Sequence, residues 1–291
     1  MTMLTNPIDH AAVAAAFPEY QIDLDPLGCG GMKNAYRMER EGDLAVLKVV
    51  REPLQPPADE GAVSLPERIR REIQGMRAID HPRIVRIVDG PDVREIDGHD
   101  RVWFVEPYYP RGTLSDRLGD PWHHDKVLDL IADLTDAAEE LGRHGVVHRD
   151  IKPTNIVFDE ADKPVLLDLG IALFQDLTPL TDGLGRSPRT NRYAAPEQWD
   201  IRMQASIDHR TDLFLIGIVG FEALTGRHPF DPDDPEGYLE RLATGAIDRE
   251  ALDAVEAASC IRNLLERLLA PSLSQRFRKF EFLRDAIEAC R

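Results

Sequence analysis

The sequence has few of the residues that build disulfide frameworks or cysteine-rich metal sites. Its three cysteines, Cys29, Cys260 and Cys290, are an odd number at wide spacings, so they indicate neither kind of site and favour a reducing, cytoplasmic location. Long apolar runs are also missing. The longest, 213–224, is about a dozen residues and includes Glu222, whereas a membrane-spanning helix needs about 20 residues. This run is therefore predicted to be a buried helix, and no membrane association is expected.

Positive charge is scarce relative to negative charge. The chain has 35 Lys and Arg against 52 Asp and Glu, which gives a formal net charge of -17. A field of this sign argues against binding nucleic acid or an anionic membrane surface, and it favours a cationic partner. A secretory signal is not expected either, because residues 1–18 lack a basic start followed by an apolar core.

The pattern of the chain changes after its first third. Short apolar runs alternate with turn residues at 27–31, 44–50, 84–88 and 102–105, which predicts a small antiparallel sheet. One helix is predicted to interrupt the sheet, because Ser64 and Glu67 have the spacing of a capping box. From about Gly112 onward, apolar residues follow helical spacing, which predicts a mainly helical second part.

The most informative segment is 148–155, which reads His-Arg-Asp-Ile-Lys-Pro-Thr-Asn. Apolar residues follow it, and Leu-Leu-Asp-Leu-Gly comes next at 166–170, so two short strands bracket polar tips. Asp150 can accept a proton from an attacking hydroxyl group, while Asn155 and Asp168 offer the oxygen ligands that magnesium prefers. Each of these residues alone is typical of an ordinary turn, but the ordered set favours a catalytic site.

A buried ion pair is predicted in the first part of the chain. Glu72 lies on the apolar stripe of Ile69, Ile73 and Met76, so its carboxylate is expected to face the core. Desolvating a carboxylate without a cation costs several kcal/mol, and Lys48 on the strand 44–50 is the expected partner. The alternative is that the two side chains reach solvent separately.

Together these segments resemble the protein kinase family of serine/threonine type, with a bacterial style of stand-alone catalytic domain, from about residue 20 to 284. The resemblance implies an α+β fold with two lobes. It implies an N-terminal extension at 1–19, an N-lobe at 20–107 with a small antiparallel sheet and one helix, and a mainly helical C-lobe at 108–291. The implied activity is transfer of the ATP γ-phosphoryl group to Ser or Thr hydroxyl groups of proteins, with autophosphorylation.

The resemblance also assigns roles to single residues. It implies that Asp150 is the catalytic base, that Lys152 contacts the transferring phosphoryl group, and that Asn155 and Asp168 hold Mg²⁺ or Mn²⁺. Lys48, paired with Glu72, would bind the α- and β-phosphates in a cleft between the lobes. The other implied nucleotide-binding residues come from a glycine-rich hairpin, the Lys48 strand, the hinge and the floor below adenine: Leu27, Gly28, Gly30, Gly31, Ala35, Val46, Glu106, Tyr108 and Val157.

Two positions in the nucleotide region depart from the family pattern or leave its register open. Lys33 stands where a third glycine is usual, and we expect it to project into solvent, the alternative being added charge at the phosphates. Counting back from 112–114 without a gap places Glu106 at the gatekeeper position and Pro107 at the start of the hinge. A one-residue insertion would place Val105 at the gatekeeper position instead.

The segment 190–197 resembles the protein-substrate docking loop that small-molecule kinases lack. By this resemblance Glu197 is expected to be buried against Arg276, and Asp212 to anchor the backbone of the catalytic loop. Thr190 favours Ser or Thr acceptors, while a pseudokinase scaffold and a small-metabolite kinase remain the competing interpretations.

Two further hypotheses concern phosphate acceptors. Thr178 or Thr181 is the expected autophosphorylation site, because an arginine at the place of Arg149 commonly pairs with a phosphorylated activation segment in this family. The alternative is that both are ordinary loop hydroxyl groups. Acidic residues between 231 and 240 suggest a preference for basic residues near the acceptor, although acidic residues also simply suit the start of a helix.

Overall fold

The computed structural model describes residues 8–29, 33–53, 76–168, 192–230, 235–255 and 259–291. These residues form two compact units. The first unit lies within Met1–Asp80 and Val85–Tyr109, and the second lies within His81–Ile84 and Pro110–Arg291. The predicted limits of the extension and of the two lobes stay predictions. The predicted helix that follows Ser64 lies outside the described residues apart from Met76.

The first unit contains an antiparallel sheet with the strand order β1-β3-β4-β6-β5, and β2 also pairs with β3. Its strands are β1 (Gln21–Ile22), β2 (Gly28–Cys29), β3 (Lys33–Arg40), β4 (Asp43–Val50), β5 (Asp89–Ile96) and β6 (His99–Pro107). Three of the four predicted strands therefore exist. The prediction at 84–88 is wrong: Ile84 makes an isolated bridge to Leu166 in the second unit, and β5 begins only at Asp89.

Two-residue turns set the register of the two long hairpins. Glu41 and Gly42 connect β3 to β4 with φ values of 56° and 93°, and Asp97 and Gly98 connect β5 to β6 with φ values of 54° and 70°. Two-residue hairpin turns of type I′ match the twist of the strands and need positive φ at both central residues, and glycine adopts positive φ without strain. The turns thus fix which residues of neighbouring strands lie opposite each other.

One face of this sheet is covered by helix α1 (His10–Ala16), which begins at the N-cap Asp9. Val13 and Phe17 are fully buried and belong to one apolar cluster with the sheet. The sheet side chains of that cluster alternate along their strands: Tyr36, Met38, Leu47, Val49, Ile96, Trp103 and Val105. Described residues before the first strand, Ile8, Val13 and Phe17, are therefore part of the core of the first unit.

The opposite face of the sheet carries Lys48 and Glu106, two of the predicted nucleotide-binding residues. Ala35 of β3 lies opposite Lys48 of β4, and Lys48 lies opposite Phe104 of β6. Val46 lies opposite Glu106 in the same way. Because directly opposed residues of antiparallel strands point to the same side, these five residues share one face, called the Lys48 face below.

The second unit is built around the buried helix α4 (His209–Thr225), whose central residues are buried on all sides, as predicted. It packs against α2 (His124–Arg143) and α7 (Ser259–Leu268), and the approach is close. A Cβ atom on Gly217 would lie 2.8 Å from Leu268, and one on Gly220 would lie 2.8 Å from Ile131. Two glycines therefore permit the contact.

The other α-helices and strands of the described residues are α3 (Pro196–Trp199), α5 (Pro235–Thr244), α6 (Arg249–Ala254), α8 (Phe280–Glu288) and a two-stranded sheet of β7 (Ile156–Phe158) and β8 (Pro164–Leu166). The turn between β7 and β8 brings the segments on either side of this sheet next to each other. Among the helices in the described part of the chain, none is long and apolar enough to cross a membrane.

Candidate active site

The backbone of the segment 148–150 is held by a buried carboxylate. Asp212, in the first turn of α4, is 1% exposed, and its two oxygens accept hydrogen bonds of 2.8 Å from the backbone N–H groups of His148 and Arg149. Burial raises the pKa of Asp212, while the charges near it and these two N–H groups oppose the rise. The predicted anchoring role of Asp212 is confirmed by these contacts.

The Asp150 carboxylate is held from two sides. Lys152 Nζ donates to both of its oxygens, at 2.9 and 2.8 Å. Asn155 Nδ2 donates to Asp150 Oδ2 at 2.7 Å and to the Asp150 carbonyl oxygen at 2.9 Å. Asp150 and Asn155 are buried, whereas the side chain of Lys152 is one-third exposed. These contacts orient the Asp150 carboxylate, which can accept a proton, beside the partly exposed ammonium group of Lys152.

Asp168 is brought to the same place by its neighbours in the backbone. The N–H of Leu167 donates to the carbonyl oxygen of Asn155 at 2.7 Å, and His148 Nε2 donates to the carbonyl oxygen of Leu167 at 2.8 Å. His148 Nδ1 meanwhile accepts a 3.3 Å hydrogen bond from the N–H of Asp150. The imidazole ring of His148 therefore connects the segment of Asp150 to the segment of Asp168.

Two residues of this site have a left-handed backbone. Arg149 has a φ of 64° and Asp168 has a φ of 68°. Positive φ is uncommon outside glycine and costs about 1 to 3 kcal/mol, so it persists where the surroundings impose it, often at functional sites. Here the carbonyl oxygen of Arg149 also accepts a 2.8 Å hydrogen bond from Gln198, the residue that follows Glu197.

The segment 192–197 is anchored by a fully buried ion pair. Arg276 donates to both oxygens of Glu197, at 2.7 and 3.0 Å, and both side chains are 0% exposed. Thr211 donates to the same carboxylate at 2.7 Å. The predicted burial of Glu197 against Arg276 is confirmed. The segment is held again where Tyr193 donates to Glu222 of α4 at 2.5 Å.

On the Lys48 face of the first unit, Lys48 Nζ lies 2.6 Å from Oε2 of Glu106, and both side chains are 5% exposed. Lys48 is therefore buried and paired with a carboxylate, as the sequence predicted, but the partner seen is Glu106. The predicted partner Glu72 lies outside the described residues. The register of β4 and β6 explains the contact, because Glu106 is the diagonal neighbour of Lys48 on one face.

Lys33 is also on the Lys48 face, and the expectation that it projects into solvent is wrong. It is 8% exposed, and its Nζ lies 5.8 Å from the centroid of the Phe104 ring, which Lys48 Nζ approaches to 6.0 Å. The physical reason is strand register. Lys33 is the first residue of β3 and lies opposite Val50, so it points to the same side as Ala35 and Lys48.

The other predicted nucleotide-binding residues have mixed surroundings. Leu27 and Gly28 are exposed, Val46 and Tyr108 are half-buried, and Val157 is buried on β7. Gly30 and Gly31, like Thr178, Thr181 and Thr190, lie outside the described residues.

Sequence reasoning missed the contacts of Glu106, Gln198 and Tyr193. The alternation of β6 was the available signal for Glu106, since it places Glu106 on the face of Phe104. No comparable signal pointed to Gln198 or to the hydrogen bond of Tyr193 with Glu222.

Comparison with known proteins agrees with this geometry. The sequence pattern of the family described as protein kinase domain matches residues 22–286. Serine/threonine-protein kinase pkn2 of Myxococcus xanthus is 30% identical over 277 residues, which are 91% of this chain and 32% of that protein. Serine/threonine-protein kinase 16 of Rattus norvegicus is 29% identical over 224 residues, which are 72% of each chain.

A solved structure shares the fold. The crystal structure of Rad53 1-466 in complex with AMP-PNP superposes with a TM-score of 0.70 at 20% identity, covering 93% of this chain and 64% of that one. The chain spans about a third of the length of the Myxococcus relative. Because the family pattern matches residues 22–286, which are most of the sequence, the chain belongs to the protein kinase family.

Proposed function

We propose that this chain is an active serine/threonine protein kinase, which transfers the γ-phosphoryl group of ATP to Ser or Thr hydroxyl groups of proteins. The observation that carries the proposal is the Asp150 carboxylate, fixed by Lys152 at 2.8 Å and by Asn155 at 2.7 Å on a backbone that Asp212 anchors. The names of the relatives support the choice of Ser and Thr over other acceptors.

In this proposal Asp150 orients the acceptor hydroxyl group and accepts its proton. Phosphoryl transfer needs little covalent chemistry from the protein, so positioning and charge supply most of the rate. Lys152 supports both, because its ammonium group already contacts Asp150 and is one-third exposed, which leaves it within reach of a phosphoryl oxygen. Loss of Asp150 should therefore affect turnover far more than folding.

Asn155 and Asp168 would hold Mg²⁺ in this proposal, and the residues fit that ion. Both N–H donors of the Asn155 amide group point at Asp150, so Oδ1 is the atom that Asn155 offers to a cation. A carboxylate and an amide oxygen are ligands that Mg²⁺ accepts. When bound, Mg²⁺ neutralises the charge of the phosphates.

The first unit would bind the nucleotide through its Lys48 face. Lys48 is proposed to contact the α- and β-phosphates, with Ala35 and Val46 beside the base. Glu72, Gly30 and Gly31 keep the roles that the family resemblance implies. The Rad53 neighbour, which was crystallised with AMP-PNP, supports ATP as the nucleotide.

The proposal is tested by incubating the purified chain with radiolabelled ATP, Mg²⁺ and a generic basic protein. The wild type should label the protein, and Asp150→Asn should lower the rate by about 10²- to 10⁴-fold, the range typical of a lost general base. The melting temperature should stay within about 2 °C of the wild type. Asp120→Asn, an exposed aspartate of the second unit, is the matched control and should keep the wild-type rate.

Different outcomes separate the competing functions. MgATP binding without any transfer would indicate a pseudokinase scaffold, and ATP turnover that requires a small metabolite would indicate a metabolite kinase. Either result would refute the proposal. Mass spectrometry of the same reaction reports whether Thr178 or Thr181 gains phosphate. A peptide library as acceptor reports whether basic residues are preferred, which the net charge of -17 supports.

A further inference from the structure

The ion pair between Lys48 and Glu106 joins two strands at the one face that carries the proposed phosphate-binding lysine. Lys48 is the sixth of the eight residues of β4, and Glu106 is the penultimate residue of β6. Their side chains approach diagonally across the ladder to 2.6 Å, and each is 5% exposed. At this distance the ammonium group donates a charge-assisted hydrogen bond to the carboxylate.

The strands that carry the two charges are held in place by packing and pairing. The opposite face of the same strands packs under α1 through Leu47, Val49, Trp103 and Val105, all of them buried. Strand pairing runs without a gap from Val49 to Ala45 on β4 and from Trp103 to Pro107 on β6. The paired backbone therefore keeps Glu106 next to Lys48, and the contact changes only through the side-chain rotamers of these two residues.

A carboxylate on this ammonium group has a direct consequence for an anionic ligand. A lysine ammonium has three N–H donors, and one of them is directed at Glu106. A phosphate group that contacts the same ammonium comes close to the negative charge of Glu106, and like charges across such a short gap repel strongly. The repulsion is little screened, because both side chains are buried.

We propose that Glu106 lowers the affinity of this chain for nucleotide phosphates by competing with them for the ammonium group of Lys48. The inference rests on the proposed function, since it takes Lys48 to be the phosphate-binding lysine. Glu106 then acts as a specificity-determining residue. It disfavours nucleotides in proportion to the negative charge that they place at Lys48, and it has no effect on an uncharged nucleoside.

The test compares Glu106→Gln with the wild type by calorimetric titration with MgATP, MgADP and adenosine. Glutamine keeps the shape and an acceptor oxygen but removes the charge. We expect the dissociation constant of MgATP to fall by at least about tenfold, as removal of a like charge at a shared site predicts, with a smaller fall for MgADP. The dissociation constant of adenosine should stay within about twofold.

Two further variants isolate the charge. Glu106→Met removes the charge with a different side chain and should also tighten MgATP more than adenosine. Glu95→Gln, the same change at an exposed position of β5, should alter none of the three dissociation constants.

Unchanged or weaker MgATP binding in both Glu106 variants would overturn the inference, as would an equal gain for adenosine, which would indicate a merely structural effect. Such a result would leave the proposed function intact if the wild type binds MgATP. A wild type that binds no MgATP would instead refute the proposed function itself.

Discussion

Replacing Arg276 by lysine is expected to destabilise the second unit strongly, although the charge is kept. Arginine has five N–H donors, and all five of Arg276 are used. Two reach the oxygens of Glu197, and three reach the carbonyl oxygens of Ala270, Arg210 and Pro271, at 2.8, 3.1 and 3.2 Å. The guanidinium group is 0% exposed, so water does not replace a lost partner.

The magnitude follows from counting acceptors. A lysine at position 276 has three donors, so at least two of the five acceptors lose their partner. Each unsatisfied buried group costs about 1 to 3 kcal/mol, which gives about 2 to 6 kcal/mol for the pair. Lysine also loses the stacking of the guanidinium group on Phe214, whose ring centroid lies 4.4 Å from Cζ. A loss of this size lowers the melting temperature by at least about 4 °C.

The assay measures the melting temperatures of the wild type and Arg276→Lys by scanning calorimetry. Arg284→Lys is the matched control, because Arg284 also contacts two carboxylates, Asp136 and Glu139, but is 40% exposed. Exposed ion pairs contribute about 0 to 1 kcal/mol, so this variant should melt within about 2 °C of the wild type. Equal melting temperatures for all three proteins would refute the argument from buried donors.

Two more outcomes are expected from buried contacts of the two units. Asp212→Asn places an amide N–H₂ group against one of the two backbone N–H groups that Asp212 binds. This variant should therefore lose about 1 to 3 kcal/mol of unfolding free energy. Its turnover, measured below its melting temperature, should fall at least tenfold. Full turnover in this variant would contradict the anchoring role. Val13→Asp puts a charge into the fully buried cluster under α1 and should lower the melting temperature by several degrees. Ala11→Asp, at an exposed position in the first turn of α1, should not lower the melting temperature. Equal melting temperatures of the two variants would show that α1 is not part of the core.

Much of the site was predictable because its spacing is local. Asp150, Lys152 and Asn155 lie within six positions, and their contacts need only one turn of chain. The hairpin of β7 and β8 is equally local, and it brings Asp168 back to Asn155. The pair of Glu197 and Arg276 is different, because 79 positions separate its members. Only the family resemblance allowed it to be predicted.

Other features needed the tertiary structure. A five-residue segment with four apolar residues is compatible with a strand and with a connection between elements, which is why 84–88 was wrongly predicted as a strand. The burial of Lys33 depends on the residue at which β3 begins, since one step along a strand reverses the side to which a side chain points. The cover that α1 provides for the sheet likewise has no local signal.

The sequence by itself determined the family, the catalytic loop and the requirement that Lys48 have a buried anionic partner, because these follow from residue types at short spacings. Only the tertiary structure decided that Glu106 contacts Lys48. The two residues are 58 positions apart, and their contact depends on the register between β4 and β6. Register between strands distant in sequence is set by the packing of the whole sheet, and no spacing along the chain encodes it.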